Sequence, residues 1–517
     1  MLGKKDYQEK LYTNFQLSQK IPKDNFYRRL REALPLDFLY KETKQYYGKC
    51  GQKSIDPVVF FKLMLVQYLE NLDSDRKLVE HSSMRMDILF FLGYDIDEEL
   101  PWHSTISRTR QLFPESLFEK LFNRVFEMCV EKGMVSGHTQ AVDSAFVKAN
   151  ASMDSLELKV PEESLEEYLH RYRYMSSPDR KAKVNRASEE QKKVSADKKK
   201  LQDINSRQAK WKKDQDQRPG AGNKGAKYTS NHTHYSPTDP DARISVKPGK
   251  ARKLNYLSQL SVDSSHHVIT HIQSCHADKK DNQYLQSVVE NTQRRLQDNG
   301  LLFTTLLADA GYSSGENYSW LEQEGIEAFI PPHGTYKGGP HGFTYNKEEN
   351  FWTCPQGIHV TFRKTKTEKS GVKKDVYFTT RRDCKNCPIK TQCIGKSYER
   401  RIEVTHYREE YERAIDRLMK RGNEKLKKKR QAIVEPVFGS LINYYGMRKV
   451  HTRGIKQSNK IMMMAATAYN LKKYMKFSRK KVISMIVRME ILSLNIFNEI
   501  WLILKTYESR KVYKSFR

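Results

Sequence analysis

Leu306-Leu307-Ala308-Asp309-Ala310-Gly311-Tyr312 is the stretch whose reading decides the fold. The apolar run from Leu301 to Leu307, with Phe303 inside it, predicts a buried strand. That strand ends on a carboxylate. Ala310-Gly311 breaks it, and Ser313-Ser314-Gly315-Glu316 predicts a helix start with a serine cap. An acid at the C-terminal end of a core strand is where open α/β sheets gather their chemistry. Read alone, Asp309 serves equally well as a cap for the next helix.

Two other stretches shift that balance. In Gln140-Ala141-Val142-Asp143-Ser144-Ala145-Phe146 a short apolar piece again delivers an aspartate at its end. In Arg430-Gln431-Ala432-Ile433-Val434-Glu435-Pro436-Val437-Phe438-Gly439, the residues Val434, Val437, Phe438, Leu441 and Ile442 recur at helical spacing. Glu435 therefore sits beside the apolar stripe of a helix, where a carboxylate needs a partner because burying an unpaired charge is costly. Three carboxylates from distant parts of a basic chain point to divalent metal ions and a phosphodiester.

The charge points the same way. The 517 residues carry 92 Lys and Arg against 62 Asp and Glu, a net charge of +30, which calls for a polyanion partner, most simply nucleic acid. Met1-Leu2-Gly3-Lys4-Lys5-Asp6 leads into polar sequence and carries no secretory signal. Val482 to Leu504 is the most apolar long stretch, but Arg488, Glu490, Asn495 and Glu499 interrupt it, so it predicts an amphipathic helix. The expectation is a soluble cytoplasmic protein.

Of the seven cysteines, Cys50, Cys129 and Cys275 are scattered and read as buried thiols. Cys354, Cys384, Cys387 and Cys393 cluster. A CxxC with a third cysteine six residues on, and a fourth upstream after Trp352, fits a closed four-thiolate structural zinc site. Two disulfides are the alternative, which a reducing compartment disfavours.

Taken in order, the chain opens with helices. Asp56-Pro57 caps and starts one that is nearly apolar all round from Val58 to Leu69. A second is expected from Ser74 to Phe91, with Leu78, Met84, Met86, Ile88 and Leu89 facing inward. A third opens at Pro101-Trp102-His103-Ser104-Thr105, with Ser104 as its cap. Ser107, Arg108, Thr109 and Arg110 on its first turns suit a recognition helix, or equally a packing helix with a polar outer face. Phe113 to Met134 continues as an amphipathic helix. Glu157 to Lys213 is rich in charge and poor in large apolar residues, which predicts a long charged helix or helical hairpin before the Arg218-Pro219-Gly220-Ala221-Gly222 linker. Leu254–Val262 and Val268–Ile272, with Asp263-Ser264-Ser265-His266 between them, predict a β-hairpin. A helix over 281–296, the Asp309 strand, the Ser314 helix and a strand at Ala328–Ile330 complete a mixed sheet with helices, an α/β core.

The sequence resembles the DDE transposases of bacterial insertion sequences, whose catalytic core is ribonuclease H-like. The matching residues are Val142-Asp143-Ser144, Ala308-Asp309-Ala310-Gly311-Tyr312 and Val434-Glu435-Pro436-Val437-Phe438-Gly439, with Gly446-Met447-Arg448 and Arg453-Gly454 downstream. The segment from Tyr47-Gly48 to Arg110 is similar to the family's N-terminal helical domain. Cys354, Cys384, Cys387 and Cys393 resemble a cysteine module that one branch carries between the second Asp and the Glu. The family often carries a basic residue seven positions after the Glu; here that residue is Ile442, and Arg448 or Lys449 is expected to substitute.

The resemblance implies an organisation and a chemistry. Residues 1–135 form an all-α DNA-binding domain, and 136–475 a ribonuclease H-like mixed sheet flanked by helices. The core is interrupted by a charged helical insertion at 151–227 and the cysteine-rich zinc module at 340–395, and a helical tail follows at 476–517. Asp143, Asp309 and Glu435 hold two Mg²⁺ or Mn²⁺ ions. Arg108, Arg110, Arg448, Lys449 and Arg453 contact DNA. The protein binds the terminal inverted repeats as a homodimer, cleaves the element ends and joins them to target DNA. A DNA-binding relic without strand transfer and a metal-dependent nuclease are the alternatives.

Overall fold

The structure, a computed structural model, describes residues 16–48, 54–158, 230–231, 234–246, 251–334, 336, 338–368 and 371–477. Nearly all of the charged insertion, Cys50 and all but the first two residues of the C-terminal tail lie outside the described residues. The chain divides into two compact units, one made of residues up to Val135 together with those from Met464 onward, the other of Ser136–Met463.

The first unit is helical. Its described elements include α1 (Phe26–Ala33), α2 (Phe38–Thr43), α3 (Pro57–Leu69), α4 (Asp75–Ser83), α5 (Met86–Leu92), α6 (His103–Leu112) and α7 (Glu115–Glu131). Helix α3 starts as its sequence dictates. Asp56 Oδ1 accepts from the backbone N–H groups of Val58 and Val59, and Pro57, which has no N–H to satisfy, takes the first helical position. Ten of its residues are buried on all sides, which makes it the central helix of the unit. Phe60 and Phe61 pack there against Phe113 and Phe118, with Phe61 and Phe113 stacked at 5.9 Å.

Three expectations need correcting here. The single helix from Ser74 to Phe91 is two helices. Ser74 caps the first, but Arg85 is extended, its guanidinium clamped on Asp87, and Met84 and Met86 are exposed rather than inward. Ser104 is not the cap of α6; the N-cap position is Trp102, whose side chain makes no capping bond. Arg110 does not project from the helix. It is 2% exposed, and its guanidinium forks onto Asp75, Nη1 to Oδ2 at 3.0 Å and Nη2 to Oδ1 at 2.5 Å, above the sulfur of Met64. A DNA phosphate cannot reach it. Arg108, two residues earlier, is exposed.

The second unit is built on a six-stranded sheet. Its strands are β1 (Thr139–Lys148), β2 (Arg243–Ser245), β3 (Lys253–Asp263), β4 (Ile269–His276), β5 (Thr305–Leu307) and β6 (Glu327–Phe329). Strand β1 pairs antiparallel with β3 along Gln140–Lys148 and parallel with β5. Strand β6 extends the sheet parallel to β5, while β2 and β4 both pair with β3 on its other side. The expected hairpin is β3–β4, with Val262 opposite Ile269. Asp263, fully buried at the end of β3, ties the sheet to the start of β1 by accepting from the N–H of Gly137 and from Nε2 of Gln140, each at 2.9 Å.

Helix α8 (Leu285–Asp298) lies on β3 and β4 through Leu285, Val288, Val289 and Leu296. Helix α9 (Gly315–Gln323) begins at Ser314, whose hydroxyl accepts from the N–H of Asn317, as its sequence predicts. Helix α10 (Arg408–Met419) packs on α9 and β6, and α11 (Glu424–Tyr444) on β1, β3 and β5. Helix α12 spans residues 455–477. Between α9 and α10 lies a separate antiparallel sheet of β7 (Thr344–Asn346), β8 (Phe351–Thr353), β9 (His359–Thr367), β10 (Lys373–Phe378) and β11 (Arg401–Thr405). Trp352, Val360, Tyr377 and Ile402 form its own small core. Among the described residues no helix is long and apolar enough to cross a membrane.

Two predictions follow from burial. Removing the Arg110 side chain strands Asp75, so Arg110→Ala should lower unfolding stability by about 3 kcal/mol, whereas Arg108→Ala should leave it within about 0.5 kcal/mol; chemical denaturation of the two variants reads the difference. His271 is buried, and its Nδ1 accepts from Arg295 at 3.1 Å. Burial, then the neighbouring Arg295 cation, pushes its pKa down to about 3 from 6.5. A depressed histidine contributes stability that is complete above pH 6.5 and lost as pH falls towards 3. Melting temperatures between pH 7 and 4 should therefore fall less steeply for His271→Gln than for the native chain.

Candidate active site

The parallel ladder between β1 and β5 is three residue pairs long and ends at Ala141 opposite Leu307. Each strand places an aspartate two residues further on, Asp143 and Asp309. Asp143 is still within β1, while Asp309 lies two residues past the end of β5 with an extended backbone, φ −85° and ψ 175°. Their charges act on each other. Burial raises the Asp143 pKa, the Arg430 guanidinium lowers it, and the Asp309 carboxylate raises it, with a net upward shift. Asp143 was expected at a strand end. It lies instead in the middle of β1, because the antiparallel partner β3 carries β1 on to Lys148.

Asp309 was expected to end its strand; β5 stops two residues earlier, at Leu307. The chain turns through a short 3-10 segment, Ala310–Tyr312, and Asp309 Oδ1 accepts from the N–H of Gly311 at 2.9 Å. The capping reading of Asp309 is thus realised, but on this turn rather than on α9. Gly311 is needed for space: a Cβ there would lie 3.0 Å from Asp309 Oδ1 and 3.3 Å from Asp281 Oδ2. A further carboxylate, Asp281, therefore borders the same turn.

Helix α11 brings the next charges. Arg430 Nη1 donates to Asp143 Oδ2 at 2.7 Å, and both side chains are largely buried. No sequence signal distinguished this arginine within Lys428-Lys429-Arg430; only the packing of α11 on β1 selects it. Glu435 lies five residues further along, about 7.5 Å of helix rise. It is exposed, between the buried Val434 and Val437, so the burial expected to demand a partner for it is absent. Pro436 follows it inside the helix and withholds an N–H from the carbonyl of Ala432. Among the described residues no group of three or more His, Cys, Asp or Glu side chains is arranged to hold a metal ion. The structure thus joins Asp143 to Asp309 and leaves Glu435 on the neighbouring helix.

Arg448, Lys449 and Arg453 are exposed after α11. Helix α11 ends at Tyr444, and Gly446 just beyond its cap takes a φ of 70°, which suits a residue without a Cβ. The chain then runs beside the end of β1: Lys449 bridges Lys148, and the Val450 N–H donates to the Lys148 carbonyl at 2.8 Å. The loop is held from below by the buried Asp239, whose Oδ1 accepts from the N–H of Gly454 at 3.0 Å and from the Tyr256 hydroxyl at 2.7 Å. The expected basic cluster is therefore an ordered surface at the end of β1. Ile442, where the family often has a base, is only half-buried.

Cys354, Cys384, Cys387 and Cys393 line one small pocket of the second sheet, with Thr379 and Arg400. Cys354 Sγ accepts from the N–H groups of Gln356 and Ile358. Burial raises the Cys393 pKa, Arg400 lowers it, and the other three cysteines raise it. The four sulfurs are therefore neighbours, although they do not form a closed ligand set as they stand. Cys129 and Cys275 are buried thiols, as expected, with pKa values pushed up to about 12 by burial.

Comparison with known families adds an independent line. Residues 15–112 match the family described as Transposase domain (DUF772), and residues 353–475 match the family described as Transposase DDE domain. The second match contains Glu435, the four clustered cysteines and the basic residues after α11; Asp143 and Asp309 lie upstream of it. No curated protein matches the chain. Two transposase family models thus match separate parts of the chain, and both support an insertion-sequence DDE transposase.

Proposed function

We propose that the protein binds the terminal inverted repeats of its insertion sequence, cleaves DNA at the element ends and joins the 3′ ends to target DNA. The observation that carries this reading is the pair of aspartates that follow the β1–β5 ladder and act on each other's charge, with the Glu435 helix packed on the same strands. The sheet order β4-β3-β1-β5-β6, with β1 central, antiparallel to β3 and parallel to β5, supports a ribonuclease H-like core. The donors are carboxylates, which suit Mg²⁺ or Mn²⁺ rather than softer ions.

Asp143, Asp309 and Glu435 would hold two such ions. When bound, the ions supply Lewis acidity to the phosphodiester and its attacking oxygen. The chain's own residues do the rest. Asp143 and Asp309 repel each other, which raises the affinity of the place between them for a cation. Arg430 compensates Asp143 in the absence of another cation, and its planar fork also fits phosphate oxygens. The exposed Glu435 is hydrated and needs no desolvation before DNA covers it. Arg448, Lys449 and Arg453 would bind phosphates along the duplex, and Arg108 would do so from the N-terminal unit. Joining two ends calls for a homodimer, acting in the bacterial cytoplasm on nucleoid DNA.

The cysteine module fits a structural Zn²⁺ in this reading. What supports it is the shared pocket and the backbone N–H groups aimed at Cys354 Sγ. Zinc would tie the 384–393 turn to the β8 end of the sheet.

Two measurements test these assignments. Asp143→Ala, Asp309→Ala and Glu435→Ala should each cut Mg²⁺-dependent nicking of an element-end duplex by roughly a hundredfold or more, while a gel-shift assay finds DNA binding intact; a variant that still nicks at the native rate removes its residue from the set. Binding without nicking by the native chain, in Mg²⁺ and in Mn²⁺, would point to a relic instead. Purified native protein should carry about one Zn²⁺ per chain, and Cys384→Ser should lose it; stoichiometric free thiols with no metal would end the zinc reading.

A further inference from the structure

Beneath the two aspartates runs a chain of hydrogen bonds that the proposed chemistry does not itself use. Tyr312, three residues after Asp309, is fully buried. Its hydroxyl donates to Gln259 Oε1 at 2.5 Å and is hydrogen-bonded to the side chain of Ser144, the neighbour of Asp143. Gln259 is also fully buried, on β3 directly opposite Ser144. Its Nε2 donates to Asp281 Oδ1 at 2.9 Å. The other oxygen of Asp281 faces the Cα of Gly311, on the side where a Cβ would lie 3.3 Å from it. The Gly311 N–H in turn holds Asp309 Oδ1. The path runs Asp309, Gly311, Tyr312, Gln259 and Asp281, and Asp281 comes back beside Gly311 by packing rather than by a hydrogen bond.

Each hydrogen bond in this ring of contacts has one chemically allowed sense. The Gln259 amide offers its carbonyl to the phenol and its NH₂ to the carboxylate; flipped, it would set donor against donor and acceptor against acceptor. Losing one member leaves a buried polar atom unsatisfied, which costs more than the bond was worth. The ring therefore resists sliding of the β5 turn against β1. The turn carries Asp309, and β1 carries Asp143.

We propose that Tyr312, Gln259 and Asp281 are positioning residues that fix the Asp143-to-Asp309 spacing, and through it the affinity of the site for divalent ions. The inference rests on the reading of the two aspartates as metal ligands. It assigns no contact with the metal or DNA to the ring itself.

The test compares two buried tyrosines in the full chain. Tyr318 is as buried as Tyr312, but its hydroxyl donates to the Ile330 carbonyl and lies outside the ring. Mn²⁺ binding without DNA is followed by electron paramagnetic resonance, and end cleavage is titrated with Mn²⁺. Tyr312→Phe should weaken Mn²⁺ binding by about tenfold or more and move the cleavage titration by the same factor, with DNA affinity unchanged. Tyr318→Phe should lose similar thermal stability yet keep the native Mn²⁺ affinity. Native Mn²⁺ affinity in Tyr312→Phe, or an equal loss in both variants, would overturn the inference. Should Tyr312→Phe fail to fold, Gln259→Leu is read by the same criteria. Asp309→Ala separates the two levels. If it binds Mn²⁺ as the native chain does, the metal-ligand reading falls and the inference with it. If it does not bind, and Tyr312→Phe is native-like, only the ring's role falls.

Discussion

Two carboxylates side by side repel each other, and the arrangement of the second unit accommodates that repulsion. A parallel ladder of three residue pairs brings β1 and β5 together and then stops, just before Asp143 and Asp309. With no further strand hydrogen bonds at that level, the acids rely on side chains and turns. The β5 end is secured by the Gly311 N–H and the Tyr312 ring of contacts, the β1 end by β3 on its other edge and by the Arg430 guanidinium. An apolar pair at these positions would need none of this. The cost of like charges close together is what gives Arg430 a reason to be where it is.

How far the sequence revealed this depends on whether the deciding partner is near in the chain. The Asp309 turn, the β3–β4 hairpin, the Ser314 cap and the Asp56-Pro57 helix start are set by neighbours within a few residues, and each was legible. Asp143 looked like a strand end because the apolar run stops there; its antiparallel partner, more than a hundred residues away, carries the strand onward. Arg110 looked like a surface arginine on a polar turn because Asp75, which buries it, lies 35 residues upstream. Met84 and Met86 fell on the apolar stripe of a helix that the Arg85–Asp87 clamp divides. The pairing of Arg430 with Asp143 spans 287 residues and left no local trace. The three carboxylates could be identified from residue type and context, but their distances from each other could not.

The second sheet behaves as a body within the core rather than as a loop. It has its own buried aromatic cluster, and Arg408 at the start of α10 lays its guanidinium 3.4 Å from the ring centre of Tyr345. Gly315 at the start of α9 is packed so closely on Tyr407 that a Cβ would lie 2.3 Å from the Tyr407 Cβ and 2.7 Å from its ring. The two ends of the interruption, α9 and α10, are thereby clamped together, so the cysteine module can be inserted without loosening the path from the Asp309 turn to the Glu435 helix.

The bridge between Lys148 and Lys449 makes β1 a ruler. Asp143 and Lys148 are five residues apart on one continuous strand, roughly 17 Å at the rise of an extended chain. Five is an odd step, so the two side chains leave opposite faces of the sheet. One continuous strand thus sets a fixed separation between Asp143 and the backbone of the basic loop after α11.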